Sequence, residues 1–234
     1  MGTANLSNYE KLMIRRRIKR KKRTRNIILF VLVILLALSG FLIYKNTGGR
    51  SGNAAKVLSG ITKNKKIKLK SLTPPEYVDV NLIHTGDART GVKLVAVNDI
   101  VIHYTGNAGT TAQNNRDYFD KTDTDVCSHF VIGLDGEIIQ CLPLDEKSAA
   151  SNNRNLDTIS IEVCHPDDTG KFTDATYDSL VKLTAWLCDN SSLKSNNVIR
   201  HYDITGKDCP KYYVENNNAW KDFLSDVKEE LKNY

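Results

Sequence analysis

Acidic residues are nearly absent from the first third of the chain. Residues 1–26 hold Glu10 alone against ten Lys or Arg, and residues 45–75 hold eight Lys or Arg and no acid. Between these stretches, Ile27–Tyr44 (IILFVLVILLALSGFLIY) lacks charge of either sign over eighteen residues. At about 1.5 Å of helix per residue, that run is just long enough to cross the hydrocarbon core of a bilayer. A basic block on its N-terminal side predicts a cytoplasmic segment at residues 1–26, a transmembrane helix at 27–44 and everything beyond on the outer side of the membrane. Ala37-Leu38-Ser39 would also serve as a signal-cleavage site, which would yield a secreted protein instead. The run is long for a signal peptide, which favours the anchor.

Other absences narrow the function further. No CxxC pair occurs among Cys127, Cys141, Cys164, Cys188 and Cys209, which excludes the usual spacing of a structural zinc site. Five is an odd number, so in an exported chain at least one thiol is left for a task other than a disulfide. No internal repeat is present. The net charge of +6 hides an acidic remainder: residues 76–234 carry fifteen Lys or Arg against 26 Asp or Glu, a net −11. The basic N-terminus abuts an apolar span and is read as a topology signal, so nucleic acid is not an expected partner.

Residues 45–76 are rich in Gly, Ser, Asn and Lys and close on Pro74-Pro75, the composition of an extracellular linker. The globular domain is expected at 77–234. In KLVAVNDIVIHYTGN, Ile100, Ile102 and Tyr104 alternate with Val101 and His103, predicting a strand. Thr110 or Thr111 can cap a helix through AQNNRDYFDK. SHFVIGLDGEIIQCLP reads as a hairpin with Asp135-Gly136 as a two-residue turn. Pairing Leu134 with Glu137 would set Cys141 opposite Phe130, on the face away from Cys127, and would disfavour a disulfide between the two cysteines.

TISIEVCH predicts a strand with Ile159, Ile161 and Val163 on one face and Ser160, Glu162 and Cys164 on the other. FTDATYDSLVKLTAWLCDN predicts an amphipathic helix capped by Thr173, with Cys188 in its apolar stripe. NVIRH suggests a short strand ending at His201, and Trp220, Phe223, Leu224, Val227 and Leu231 a closing helix. Strands alternating with helices imply an α/β domain, a central mixed sheet flanked by helices.

His103 and His201 each end a predicted strand, and Cys209 follows on the loop after the second. Singly, each is as readily a structural hydrogen-bonding group. Together, two neutral imidazoles and a thiolate meet the three-ligand count of a catalytic zinc with one open position.

Four stretches carry a family resemblance: IVIHYTGN, SHFVIGLDGEIIQ, NLDTISIEV and RHYDITGKDCP. In order and spacing they resemble the type 2 N-acetylmuramoyl-L-alanine amidases, which include phage lysozyme-type endolysins and the peptidoglycan recognition proteins. The likeness spans roughly residues 95–228. It implies Zn2+ held by His103, His201 and Cys209, in the branch whose third ligand is cysteine. It also implies a peptidoglycan substrate, cut at the amide between the lactyl group of N-acetylmuramic acid and L-alanine. By the same resemblance Lys207 stabilises the transition state and Glu162 is the general base.

One position departs from the pattern. Lysozyme-type members place a catalytic tyrosine before a His-Phe pair, where this chain has Ser128 before His129-Phe130; a serine cannot inherit that role. Asn152 and Asn153 lie on a polar loop that could meet glycan or peptide, while His84 and His165 carry no motif. The competing function is a non-catalytic peptidoglycan-binding module on a membrane anchor. The intact ligand set favours catalysis.

Overall fold

The computed structural model describes residues 72–234. The basic segment, the apolar run Ile27–Tyr44 and nearly all of the linker lie outside the described residues. Among the described residues, no helix is long and apolar enough to cross a membrane.

Six strands form one mixed sheet: β1 (Val78–Val80), β2 (Asp99–Ile102), β3 (Phe130–Ile132), β4 (Ile138–Gln140), β5 (Thr158–Val163) and β6 (Val198–Arg200). Their order is β1-β4-β3-β5-β2-β6. The β3–β4 hairpin is antiparallel and every other pairing is parallel. The helices are α1 (Ala112–Phe119), α2 (Asp174–Ser191), α3 (His201–Thr205), α4 (Lys211–Glu215) and α5 (Asn217–Glu230). The expected α/β class is therefore observed.

Period-two alternation separates two apolar layers. Ile100, Ile102, Phe130, Ile132, Ile159, Ile161 and Val163 face a large core closed by Leu180, Leu183 and Leu187 of α2 and by Trp220, Phe223 and Val227 of α5. Each wholly buried aliphatic chain here stabilises the fold by about 1.5–3 kcal/mol. Val131, Ile139, Cys141 and Cys164 face a smaller cluster with Ala112 and Phe119 of α1. Thr173 caps α2 by accepting from the Thr176 backbone amide, and Thr111 caps α1 in the same manner through Asn114. Cys188 is fully buried, as its place in the apolar stripe requires.

The hairpin departs from its expected register. Phe130 pairs with Gln140 and Ile132 with Ile138, and Gly133 N–H donates to the Glu137 carbonyl at 2.8 Å. The loop is thus three residues, Leu134 to Gly136, with Gly136 in the left-handed region at φ 82°. A Cβ there would also stand 2.7 Å from the Ala175 carbonyl oxygen of α2, so the turn needs glycine. A one-residue slip moves every side chain to the other face. His129 rather than Phe130 stands opposite Cys141, and Cys141 shares the smaller cluster with Cys127. Register therefore does not keep Cys127 and Cys141 on opposite faces, although all five cysteines are free thiols.

Three smaller differences follow. The stretch before His103 is a strand over only Asp99–Ile102, β6 ends at Arg200 so that His201 opens α3, and Leu72 already packs against the main core, five residues before the expected domain start.

Candidate metal centre

Sheet register builds the site. β5, β2 and β6 are adjacent and parallel, with Ile161 beside Ile102 and Ile102 beside Arg200. The next residue at the carboxyl end of each strand is Glu162, His103 and His201, so three chemistry-bearing residues emerge side by side. His103 stays locked to β5 by its own N–H, which donates to the Ile161 carbonyl at 2.9 Å. In open α/β sheets, the carboxyl ends of parallel strands are where ligands bind.

Cys209 reaches the same place through the loop that follows α3. Gly206, at φ 77°, ends the helix in the left-handed conformation, and the chain turns back. Tyr202 N–H donates to the Cys209 carbonyl at 2.9 Å, and Cys209 N–H donates to the Lys207 carbonyl at 2.7 Å. One donor atom from each of His103, His201 and Cys209 then lies within 4.8 Å of the other two, and all three residues are buried. His103 Nδ1 stands 3.9 Å from Cys209 Sγ and 3.9 Å from Glu162 Oε1, and the two imidazole rings are 4.7 Å apart between centroids.

Electrostatics suit a cation. Burial, then His201 and Lys207, hold His103 well below the usual histidine range, and burial and Lys207 lower His201. Both rings are neutral near pH 7 and have a lone pair to give. Burial and the nearby Glu162 push the Cys209 thiol up to about 12. Burial likewise pushes Glu162 up to about 8, opposed only by Lys207. Glu162 Oε2 is buried and has no hydrogen-bond partner. Two neutral imidazoles, a thiol and an orphaned carboxyl around one point lack positive charge. A divalent ion would supply it, since a coordinating thiol gives up its proton. The residues present therefore fit such an ion.

Lys207 is exposed and lines, with His103, His201, Glu162 and Cys209, a cavity of about 1080 Å³ that extends along Asn114, Asn115 and Tyr118 of α1. All five residues singled out from the sequence are thus brought together. Asn152 lies at the same place, its Oδ1 2.8 Å from His201 Nε2. In the sequence, Asn152 stands on a polar loop that could meet substrate, and its place in the SNNRN stretch is its one signal. Ser151, whose Oγ lies 3.4 Å from His103 Nε2, was missed altogether.

The other candidates fall outside the site. Ser128 is buried and donates to the Phe130 carbonyl at 2.7 Å, so it takes a structural place where the resembling family has tyrosine. His84 is exposed beside Asp120, and His165 is buried against the Tyr104 ring.

The profile of the family described as N-acetylmuramoyl-L-alanine amidase (Amidase_2) matches residues 93–212, half of the chain. The chain belongs to this amidase family. It is 31% identical over 176 residues to the N-acetylmuramoyl-L-alanine amidase BlyA of Bacillus subtilis (strain 168), covering 66% of this chain and 46% of that protein. It is likewise 31% identical over 162 residues to the amidase CwlL of Bacillus licheniformis, covering 62% and 44%. The aligned chain spans less than half the length of either relative. The solved catalytic domain of XlyA superposes with a TM-score of 0.56 at 26% identity, over 64% of this chain and 98% of that domain. The matched half of this amidase-family chain holds every residue of the centre: His103, Glu162, His201, Lys207 and Cys209 all lie between residues 93 and 212.

Proposed function

We propose that this chain is a zinc-dependent peptidoglycan amidase that hydrolyses the bond between the lactyl group of N-acetylmuramic acid and L-alanine of the stem peptide. The observation that carries the reading is the convergence of His103, His201 and Cys209 on one point beside an orphaned carboxyl, at the edge of an open cavity, in an amidase-family chain. His103, His201 and Cys209 would hold the ion. When bound, zinc supplies Lewis acidity, polarising an amide carbonyl and acidifying water at the site.

The rest is the work of this chain's own side chains. Glu162, with an ordinary carboxyl pKa displaced upward by burial, sits where it takes a proton from attacking water and returns it to the departing L-alanine amine. Positive charge brought into the site favours its carboxylate form, as Lys207 already does. Lys207, on a loop tied by its own carbonyl to Cys209, extends into the cavity to meet the negative charge that develops on the carbonyl oxygen. The cleft beside α1 offers amide side chains of Asn114 and Asn115 for the polar substrate.

The proposal extends to topology: residues 1–26 cytoplasmic, Ile27–Tyr44 spanning the membrane, and residues 45–76 tethering the catalytic domain on the wall side. Charge asymmetry around the apolar run supports this. Purified cell wall incubated with the full-length chain should release new N-terminal L-alanine, and treatment with a chelator should abolish that release. Binding to wall without release would instead establish the non-catalytic binding module. Membrane fractionation with external protease tests the anchor. Recovery of a soluble chain beginning near residue 40 would replace it with a secreted form.

A further inference from the structure

The Nε2 atoms of His103 and His201 are met by two consecutive residues, and in His103 this is the nitrogen opposite the one that stands 3.9 Å from Cys209 Sγ. Ser151 Oγ lies 3.4 Å from His103 Nε2, and Asn152 Oδ1 lies 2.8 Å from His201 Nε2. These histidines follow strands β2 and β6, yet their Nε2 atoms are both met by one short turn at residues 151–154. Such outward contacts set the tautomer and ring angle of a metal-binding histidine and thereby its strength as a ligand.

The turn itself is built to be rigid. Ser151 is wholly buried, and Asn155 Oδ1 accepts from the backbone amides of Ala150 at 3.2 Å and Ser151 at 2.7 Å. Arg154 donates to Asp99 at 2.5 Å and to Asp157 at 2.9 Å, which ties the turn to the start of β2. Asn152 sits in the left-handed region at φ 53°, a conformation unfavourable for most side chains and tolerated best by Gly and Asn. Strain of this kind persists where the surroundings hold a residue to a task. The task on view is the bond to His201.

We propose that Asn152 is the positioning residue of His201: its amide oxygen holds the proton on Nε2 and so presents the Nδ1 lone pair to the site, with Ser151 supporting His103 in parallel. The inference rests on the proposed metal site. It adds a residue that touches neither ion nor reacting atoms. Asn152 acts through ligand strength, so its loss is read first in metal affinity.

The test uses the full-length chain, with zinc titrated against a chelating fluorophore and the histidine rings labelled with 15N. Asn152→Ala and Asn152→Gly should each weaken zinc binding by about 10- to 100-fold, with the His201 Nε2–H signature lost. Asn152→Asp, which keeps an oxygen acceptor and tolerates the backbone, should stay close to the unaltered chain. Full affinity in the glycine variant with loss in the alanine variant would assign the effect to backbone strain and overturn the proposal. Equal affinity in all variants would also overturn it. An unaltered chain that binds no zinc would sink the metal reading itself, an outcome separate from failure of the Asn152 role alone. Because glycine accommodates the left-handed backbone, that variant folds even if alanine does not.

Discussion

Two buried histidines flank the same strand and meet opposite fates. His129 lies beside β5 on its β3 side, next to Ser160; His103 lies beside β5 on its β2 side, next to Glu162. His129 is satisfied on both nitrogens: Nδ1 accepts from the Ser160 amide at 3.1 Å and Nε2 donates to the Glu146 carbonyl at 2.8 Å. His103 has only the weak Ser151 contact on one side, and on the other a thiol and a carboxyl each 3.9 Å away. Both rings are desolvated, but His129 precedes its strand and is enclosed, whereas His103 follows its strand at the carboxyl edge and opens on the cavity. Satisfied burial makes a strut. Unsatisfied burial beside a cleft, shared with two other donors and a carboxyl, makes a place for a ligand.

Substitutions should divide along the same line. Cys209→Ala removes the sole anionic donor, and loss of stoichiometric zinc together with all wall hydrolysis is expected; metal analysis showing one zinc per chain would break the assignment. Glu162→Gln should keep the metal and lose turnover by about 10²- to 10⁴-fold, the range for general acid–base catalysis. Near-normal rates would move the base elsewhere. Lys207→Ala should cost about 10²- to 10³-fold in kcat with metal content unchanged, as for loss of one oxyanion donor. A change confined to KM would make the lysine a substrate contact instead.

The sequence reveals one half of this contrast more readily than the other. Alternation in β5 puts Glu162 opposite Ile161 and Val163, and the same alternation in β2 puts His103 opposite Ile102, so the faces of the site are legible from period alone. The chain motif around Lys207 and Cys209 supplies the rest. The Ser151–Asn152 support is not legible that way. It lies about fifty residues from either histidine, on an irregular turn with no periodicity, and its role depends on a left-handed backbone and on which ring nitrogen it meets. The hairpin register fails for a related reason. Asp-Gly is compatible with two- and three-residue loops, and the choice rests on how Gly136 packs against α2. A local dipeptide carries no trace of that contact.

The enclosed histidine gives the smallest effect and the sharpest control. Burial lowers His129 to about 4 from the ordinary 6.5, the Glu146 carbonyl resisting the shift. Between these values the unfolded chain binds a proton at this residue and the folded chain does not. Stability from the neutral ring is therefore complete above about pH 6.5 and is lost as pH falls towards 4, up to roughly 3 kcal/mol in all. His129→Gln can still donate to the Glu146 carbonyl but leaves the Ser160 amide without its acceptor, so a loss of about 1–3 kcal/mol is expected at pH 7.5. Glutamine does not titrate, and the gap between the two proteins in denaturant unfolding should close on acidification to pH 4.5. Zinc content should stay unchanged throughout the neutral range. A gap that stays constant with pH would mean that His129 takes up its proton as readily in the fold as in the unfolded chain, and the contrast with His103 would then rest on exposure alone rather than on hydrogen bonding.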